Sequence, residues 1–152
     1  MTVAEILRPE DVVLDLVSTT AEAAIAETAA VLKDDARVLD WNAFYVGLCG
    51  AATCLPITAD FAICIPHVRT DHLSELVMSV GRAPAGILFP GCAVPVRYCF
   101  CIGVQHALAA DYLRIVGMLE RIVKIPQGEA RLRAAETGTE FVEVLLALEA
   151  QL

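Results

Sequence analysis

The chain has 152 residues, of which 57% are hydrophobic and 20% are charged, and this balance argues against a disordered or low-complexity protein. Its formal net charge of −8 argues against a general nucleic-acid binder, because such proteins hold phosphate backbones with clustered Lys and Arg. We expect one domain over residues 1–152, since the length suits a single compact unit and no repeat or long linker interrupts it.

The first half of the sequence predicts a strand followed by two helices. The strand covers residues 12–16, after a turn signal. Thr19 or Thr20 can cap the next helix, because a side-chain oxygen there accepts a hydrogen bond from a free first-turn N–H. Asp40 offers the same kind of cap to a second helix that begins at Trp41.

The middle of the sequence predicts strands in residues 62–65, 76–80 and 96–102. Turn signals between the second and third strands leave room for at most a short strand, and they are Pro84, Gly86, Pro90, Gly91 and Pro95.

The last third of the sequence predicts three helices. Residues 112–123 carry an apolar stripe, residues 127–135 form a short helix, and Thr139 caps a final one. Grouped strands between helices favour an α+β fold of three layers, α/β/α, with a mixed β-sheet between the helices. A doubly wound parallel sheet would instead need a helix between most strands.

No signal peptide is visible, because no basic segment precedes an apolar run at the N-terminus. The uncharged segment 41–59 is broken by Asn, Gly, Thr and Pro, which argues against a membrane span. We therefore expect a cytoplasmic protein without membrane insertion. The cysteines lie in apolar surroundings and are expected to be reduced core residues, namely Cys49, Cys54, Cys64, Cys92, Cys99 and Cys101.

His67 is the histidine best placed for chemistry, because it follows the strand of residues 62–65 and Pro66, where the chain leaves the sheet. A neutral imidazole nitrogen accepts a phosphoryl group well, and the resulting anion needs nearby N–H groups or an arginine. Arg69 and Thr70 are close enough in sequence to bind such an anion. An ordinary surface histidine is the alternative interpretation.

Three other interpretations of neighbouring residues stay open. Cys64, His67 and His72 would form a zinc site only with a fourth ligand, and their spacing is not that of a paired-cysteine site. Asp71 and His72 either orient His67 or form a solvated loop pair. Arg97, in a predicted strand, faces either the site or solvent. We expect no metal and no organic cofactor.

Several segments, taken in chain order, carry a family resemblance. They read ILRPEDVVLDL at residues 6–16, AICIPH at residues 62–67, GILF and VPV within residues 86–96, and apolar stripes at residues 112–123 and 140–148. This series resembles the type-2 IIA domains of the bacterial sugar phosphotransferase system, which include fructose/mannitol-type and nitrogen-regulatory proteins. Ile-Pro-His alone is weakly specific, and its place in the ordered series gives the match its strength.

The resemblance implies a mixed sheet between helical layers and a phosphoryl group accepted on His67. The implied donor is the phosphocarrier protein HPr or a nitrogen-system counterpart. The implied acceptor is an EIIB domain or, in the regulatory branch, a target protein. No IIB or membrane IIC segment accompanies the domain in this sequence, and this favours a regulatory role.

Four features depart from the family pattern: Val68 in place of glycine, other residues in place of glycines around Asp60 and Ala62, Ala51 and Ala52 in place of an Arg-Glu pair, and Tyr112 in place of a second histidine. His106 would substitute for that histidine if its loop folds back. These changes favour a degenerate regulatory or protein-binding module without phosphotransfer. The intact Pro66-His67 favours the phosphocarrier, which is the function we expect.

Overall fold

The computed structural model of the protein describes residues 2–50 and 53–152, and in them a mixed sheet lies between two helical layers. The strands are β1 (Leu7–Val13), β2 (Cys54–Pro56), β3 (Ala62–Cys64), β4 (His67–Arg69), β5 (Val77–Ile87) and β6 (Val96–Val104). The helices are α1 (Val3–Ile6), α2 (Ala21–Ala30), α3 (Trp41–Cys49), α4 (Ala109–Val123), α5 (Pro126–Ala134) and α6 (Gly138–Glu149), with a 3₁₀ turn at His106–Leu108.

The strand order in the sheet is β1-β5-β6-β3-β2, and β4 pairs with β6 beyond the end of β3. The β1/β5, β3/β6 and β4/β6 pairs are parallel, whereas β5/β6 and β2/β3 are antiparallel. The expected α+β fold with a mixed sheet between helices is therefore confirmed. The chain does not leave the sheet at His67, because β4 resumes the pairing with β6 after a two-residue break.

Alternating side chains of the sheet divide the core between the two helical layers. Tyr98, Phe100 and Ile102 of β6 pack with α1, α4, α5 and α6 in a first cluster. Cys99 and Cys101 point the other way and pack with α2 and α3 in a second cluster. Each fully buried aromatic or aliphatic side chain contributes about 2 kcal/mol to folding. Within the described part of the chain, no helix combines the length and the apolar content that a bilayer crossing requires.

Local capping chemistry sets the helix starts. Thr20 and Asp40 accept hydrogen bonds from the N–H groups of Ala23 at 3.3 Å and Ala43 at 3.1 Å, as the sequence predicts. The cap of α6 is Thr137 and not Thr139, so that prediction is wrong. Thr137 has the extended backbone of a cap, and its hydroxyl accepts from the Glu140 N–H at 3.0 Å.

Two strands are longer or earlier than the sequence predicts, and both contain a proline. β1 covers Leu7–Val13 rather than residues 12–16, and its register against β5 shifts around Pro9. β5 continues to Ile87 through Pro84, where its register against β6 also shifts. Such irregularities accommodate proline, because the ladder there does not need the missing N–H.

The expectation that all six cysteines are reduced core residues is wrong for three of them. Cys54 of β2 forms a disulfide with Cys92, in the connection between β5 and β6, with their Cα atoms 6.1 Å apart. Cys49 is free but exposed. The disulfide joins segments that are 38 positions apart in the sequence, so local spacing could not reveal it.

Candidate functional site

His67 opens β4 opposite Ile102 of β6 and is half-buried. Its Nδ1 lies 3.1 Å from the carbonyl oxygen of Ile65. Because a carbonyl only accepts, this hydrogen bond requires the proton on Nδ1 and leaves the lone pair of the neutral ring on Nε2. Nε2 is the better nucleophile of the two in this geometry.

The Ile65 carbonyl is itself held in place by the backbone around it. Ile65 donates its N–H to the Thr53 carbonyl at 2.9 Å, and Ile102 donates to the Pro66 carbonyl at 2.9 Å. The break between β3 and β4 is therefore hydrogen-bonded on both sides. A rigid acceptor of this kind orients the imidazole more firmly than a mobile side chain would.

Tyr112 of α4 covers one face of the His67 imidazole. The two ring centroids are 4.7 Å apart and the ring planes meet at 28°, which is a stacked arrangement. Burial raises the pKa of Tyr112, and the nearby Arg69 guanidinium opposes that shift. The phenol is therefore neutral at physiological pH.

Val68 points to the opposite side of the sheet from His67. Its side chain packs with the second cluster, directly over Gly47 of α3. A Cβ atom at position 47 would collide with the Val68 methyl group, so Gly47 makes room for the branched side chain. The valine after His67 therefore leaves the imidazole uncrowded.

Arg69 and Thr70 differ in what their side chains can offer to an anion. Arg69 is exposed and lies two residues after His67, on the same side of β4 by strand alternation. Thr70 is buried, and its hydroxyl accepts from the His72 N–H at 3.1 Å in the turn after β4. The Arg69 side chain is thus open to solvent beside His67, whereas the Thr70 hydroxyl has a local partner.

His106 lies in the 3₁₀ turn before α4, and its loop folds toward the end of β4. Its Nδ1 is 3.3 Å from the Asp71 carboxylate, with His106 64% and Asp71 78% exposed. The Asp71 carboxylate therefore contacts His106, and within the described residues it forms no ion pair with His72. A polar contact this exposed contributes at most about 1 kcal/mol, so it orients the loop only weakly.

The side chains of Cys64 and Arg97 have partners other than His67. Cys64 is buried in the second cluster, where its hydrogen bond with Cys99, together with burial, raises the pKa of its thiol. Within residues 2–50 and 53–152, no three His, Cys, Asp or Glu side chains are arranged to hold a metal ion. Arg97 pairs with Glu129 at 2.8 Å, near the start of β6, and stacks over Phe61.

A family model described as "Phosphoenolpyruvate-dependent sugar phosphotransferase system, EIIA 2" matches residues 5–147 of the chain. The chain belongs to this family. No curated protein matches the sequence significantly.

Solved structures of IIA proteins share the fold. Nitrogen regulatory protein IIA-Ntr from Neisseria meningitidis aligns with a TM-score of 0.78 and 19% identity, over 94% of this chain and 98% of its own. IIA mannitol from Escherichia coli gives a TM-score of 0.71 and 16% identity, over 91% and 97%. Enzyme IIA-Mtl of E. coli, in its complex with phosphorylated enzyme IIB-Mtl, gives 0.70 and 17%, over 93% and 99%.

The structure explains one departure from the IIA sequence pattern and shows what a second one contacts. Val68 fits because Gly47 lies beneath it, and Tyr112 stacks on His67. Ala51 and Ala52 lie outside the described residues. The sequence indicated Tyr112 as the start of an apolar stripe and as a replaced histidine, and not as a contact of His67, because stacking between α4 and β4 is a tertiary contact that no local pattern contains.

Proposed function

We propose that this IIA protein is a phosphoryl carrier of the phosphotransferase system and that His67 accepts the phosphoryl group. The observation that carries the proposal is the contact between His67 Nδ1 and the Ile65 carbonyl at 3.1 Å. In the neutral ring it places the lone pair on Nε2, and the half-buried ring remains open to a partner.

In the proposed step, the Nε2 lone pair attacks the phosphorus of a phosphohistidine on the donor. The new P–Nε2 bond forms while the donor's P–N bond breaks, and that electron pair returns to the donor imidazole. The proton on Nδ1 stays in its hydrogen bond to Ile65, so the phosphorylated ring carries a positive charge. No other reactant is needed.

Arg69 supports the anionic product. It lies on the same side of β4 as His67 and close enough to Tyr112 to act on its pKa. None of the ion pairs within the described residues involves this guanidinium. A free guanidinium can bind a phosphoryl group through charge-assisted hydrogen bonds.

The surroundings of His67 suit a protein partner. Leu113, which follows Tyr112 on α4, is 70% exposed, and Tyr112 stacks on His67. Exposed apolar side chains beside a reactive group favour docking of another protein. We propose that the donor is HPr or a nitrogen-system counterpart. The recipient of the phosphoryl group is then an EIIB protein, or a regulatory target responds to the phosphorylated state.

Labelling with the general enzymes of the system tests this proposal. The protein is incubated with radiolabelled phosphoenolpyruvate, enzyme I and HPr, beside His67→Ala and the exposed-histidine control His72→Ala. We expect acid-labile label on the wild type and on His72→Ala, and none on His67→Ala. Label retained by a folded His67→Ala would overturn the assignment of the acceptor.

A protein-binding module without phosphotransfer is the second candidate. The observation in its favour is Tyr112, which covers an imidazole face where the family pattern has a second histidine. The same assay decides between the two, provided that an active IIA domain is labelled in parallel. A folded wild-type protein that takes no label under those conditions is a binding module, and the carrier proposal then fails.

A further inference from the structure

We infer that Tyr112 is a positioning residue for His67, whose stacked ring holds the imidazole in the orientation that presents Nε2 to the donor. The inference rests on the proposed function, since it concerns the same histidine. It assigns to Tyr112 a role through its aromatic face, in place of the imidazole of the family pattern.

The first step of the argument is how an imidazole is fixed. A histidine side chain has two free torsions, so a single hydrogen bond leaves the ring able to swing about its contact. In this protein the Ile65 carbonyl holds Nδ1, and the Tyr112 ring lies 4.7 Å away over one face. The edge contact and the face contact together restrict both torsions.

The second step is that Tyr112 is itself held in place. It is half-buried on α4 and packs against the first cluster, to which Ile115 and Leu119 of the same helix also belong. A supporting side chain locked by core packing transmits that rigidity to the group it touches. The His67 ring is therefore braced by the core and not by a mobile surface residue.

The third step concerns charge. In the proposed transfer, the His67 ring becomes positively charged when Nε2 is phosphorylated. The face of a neutral aromatic ring attracts a cation, because its quadrupole is negative there. Burial keeps the Tyr112 phenol neutral, so the stacked face favours the phosphorylated ring over the free one. The hydroxyl has no part in this effect, so a phenylalanine at position 112 should favour the phosphorylated ring equally well.

Tautomer measurement on the unphosphorylated protein tests the inference without any transfer. Nitrogen-15 NMR of the imidazole is recorded, at a pH where His67 is neutral, for the wild type and for Tyr112→Phe, Tyr112→Leu and Tyr112→Ala. We expect a dominant Nδ1-protonated tautomer in the wild type and in Tyr112→Phe. Tyr112→Leu and Tyr112→Ala should both show a mixture, because neither offers a planar aromatic face.

The rate of phosphorylation by phospho-HPr gives the second readout. Loss of orientation at a reacting group costs about ten- to a hundredfold in rate, so we expect such a decrease in Tyr112→Ala and Tyr112→Leu, and wild-type behaviour in Tyr112→Phe. Amide NMR spectra confirm that each variant is folded. A wild-type tautomer in Tyr112→Leu, or a Tyr112→Phe variant that behaves like Tyr112→Ala, would overturn the positioning role.

The two readouts separate this inference from the proposed function. If the wild type takes no phosphate while the tautomer still depends on the aromatic ring, the carrier proposal fails and the positioning role stands. If every variant is phosphorylated at the wild-type rate with an unchanged tautomer, the carrier stands and the positioning role fails.

Discussion

Val68 of β4 packs directly over Gly47 of α3, and this contact sets how closely the helix approaches the strand that carries His67. A methyl group added at position 47 would overlap the Val68 side chain. In a filled core such overpacking costs about 1–3 kcal/mol, against about 1 kcal/mol gained from the better helix propensity of alanine. The steric cost is the larger of the two.

We therefore predict that Gly47→Ala lowers the free energy of unfolding by up to about 2 kcal/mol, the difference between those two effects. Adding Val68→Ala to Gly47→Ala should recover part of the loss, because the smaller side chain vacates the space. Urea denaturation of the two single variants and the double variant measures the coupling between the sites.

Gly117 of α4 provides the matched control for Gly47. A Cβ atom added there meets no heavy atom within 4 Å, so Gly117→Ala should stabilise the protein by about 1 kcal/mol through helix propensity alone. If Gly47→Ala stabilises to the same extent, the fit between Gly47 and Val68 does not determine the stability at this contact.

At the scale of secondary-structure elements, the sequence predicts features that depend on neighbours along the chain. The caps at Thr20 and Asp40 are local hydrogen bonds, and the strand of residues 62–65 is a local apolar run. Pro84 misled the prediction, because β5 tolerates it only where its register against β6 shifts. Such a shift depends on a partner strand, and no local rule contains it.

The candidate site also has one part that the sequence predicts and another that depends on tertiary contacts. His67 and Arg69 are two residues apart on one strand, so a sequence motif brings them together. The Tyr112 stack and the Ile65 backbone contact arise only when α4 packs against the sheet and the chain breaks between β3 and β4. The proximity of residues within one short segment was predictable, and their contacts with distant elements were not.

The disulfide between Cys54 and Cys92 fixes β2 to the connection between β5 and β6. β2 pairs with β3, the strand that leads into His67. A crosslink stabilises the fold mainly by restricting the unfolded chain, and for a loop of 38 positions the effect is about 2–4 kcal/mol.

We predict that Cys92→Ser lowers the free energy of unfolding of the oxidised protein by about 2–4 kcal/mol. Dithiothreitol should destabilise the wild type to a similar extent and leave Cys92→Ser unaffected. Cys49→Ser, which removes an exposed free thiol, is the control and should unfold like the wild type. Equal stability of Cys92→Ser and the oxidised wild type would show that this crosslink does not contribute.

Across the whole molecule, a network of two buried carboxylates and two partly exposed arginines ties the first strand to the connection between α2 and α3. Arg8 contacts both Asp11 and Asp35 at 2.8 Å, and Arg37 contacts Asp35 at 2.6 Å. The Asp35 side chain is 2% exposed.

The same connection is joined to the segment that follows β4. Leu39 donates its N–H to the His72 carbonyl at 2.8 Å, and Ser74 donates to the Arg37 carbonyl at 2.9 Å. Loss of the ion network should therefore lower the free energy of global unfolding, and should not merely fray one element.

The hydrogen bond from Arg37 holds the pKa of Asp35 below its ordinary value of 3.8, against the opposing effect of burial. A lowered folded-state pKa means that the carboxylate contributes stability above pH 3.8, which is lost as the pH falls through the folded value. Asp35→Asn should thus destabilise by about 1–2 kcal/mol at pH 6, because it removes a carboxylate that Arg8 and Arg37 share, while Asp11 still contacts both and Arg8 is 38% exposed. The difference from the wild type should shrink below pH 3.8. Urea denaturation from pH 3 to pH 7 measures this difference in stability, and Asp34→Asn, at an exposed neighbouring position, is the control. A difference that stays constant down to pH 3 would show that Asp35 is not the titrating group.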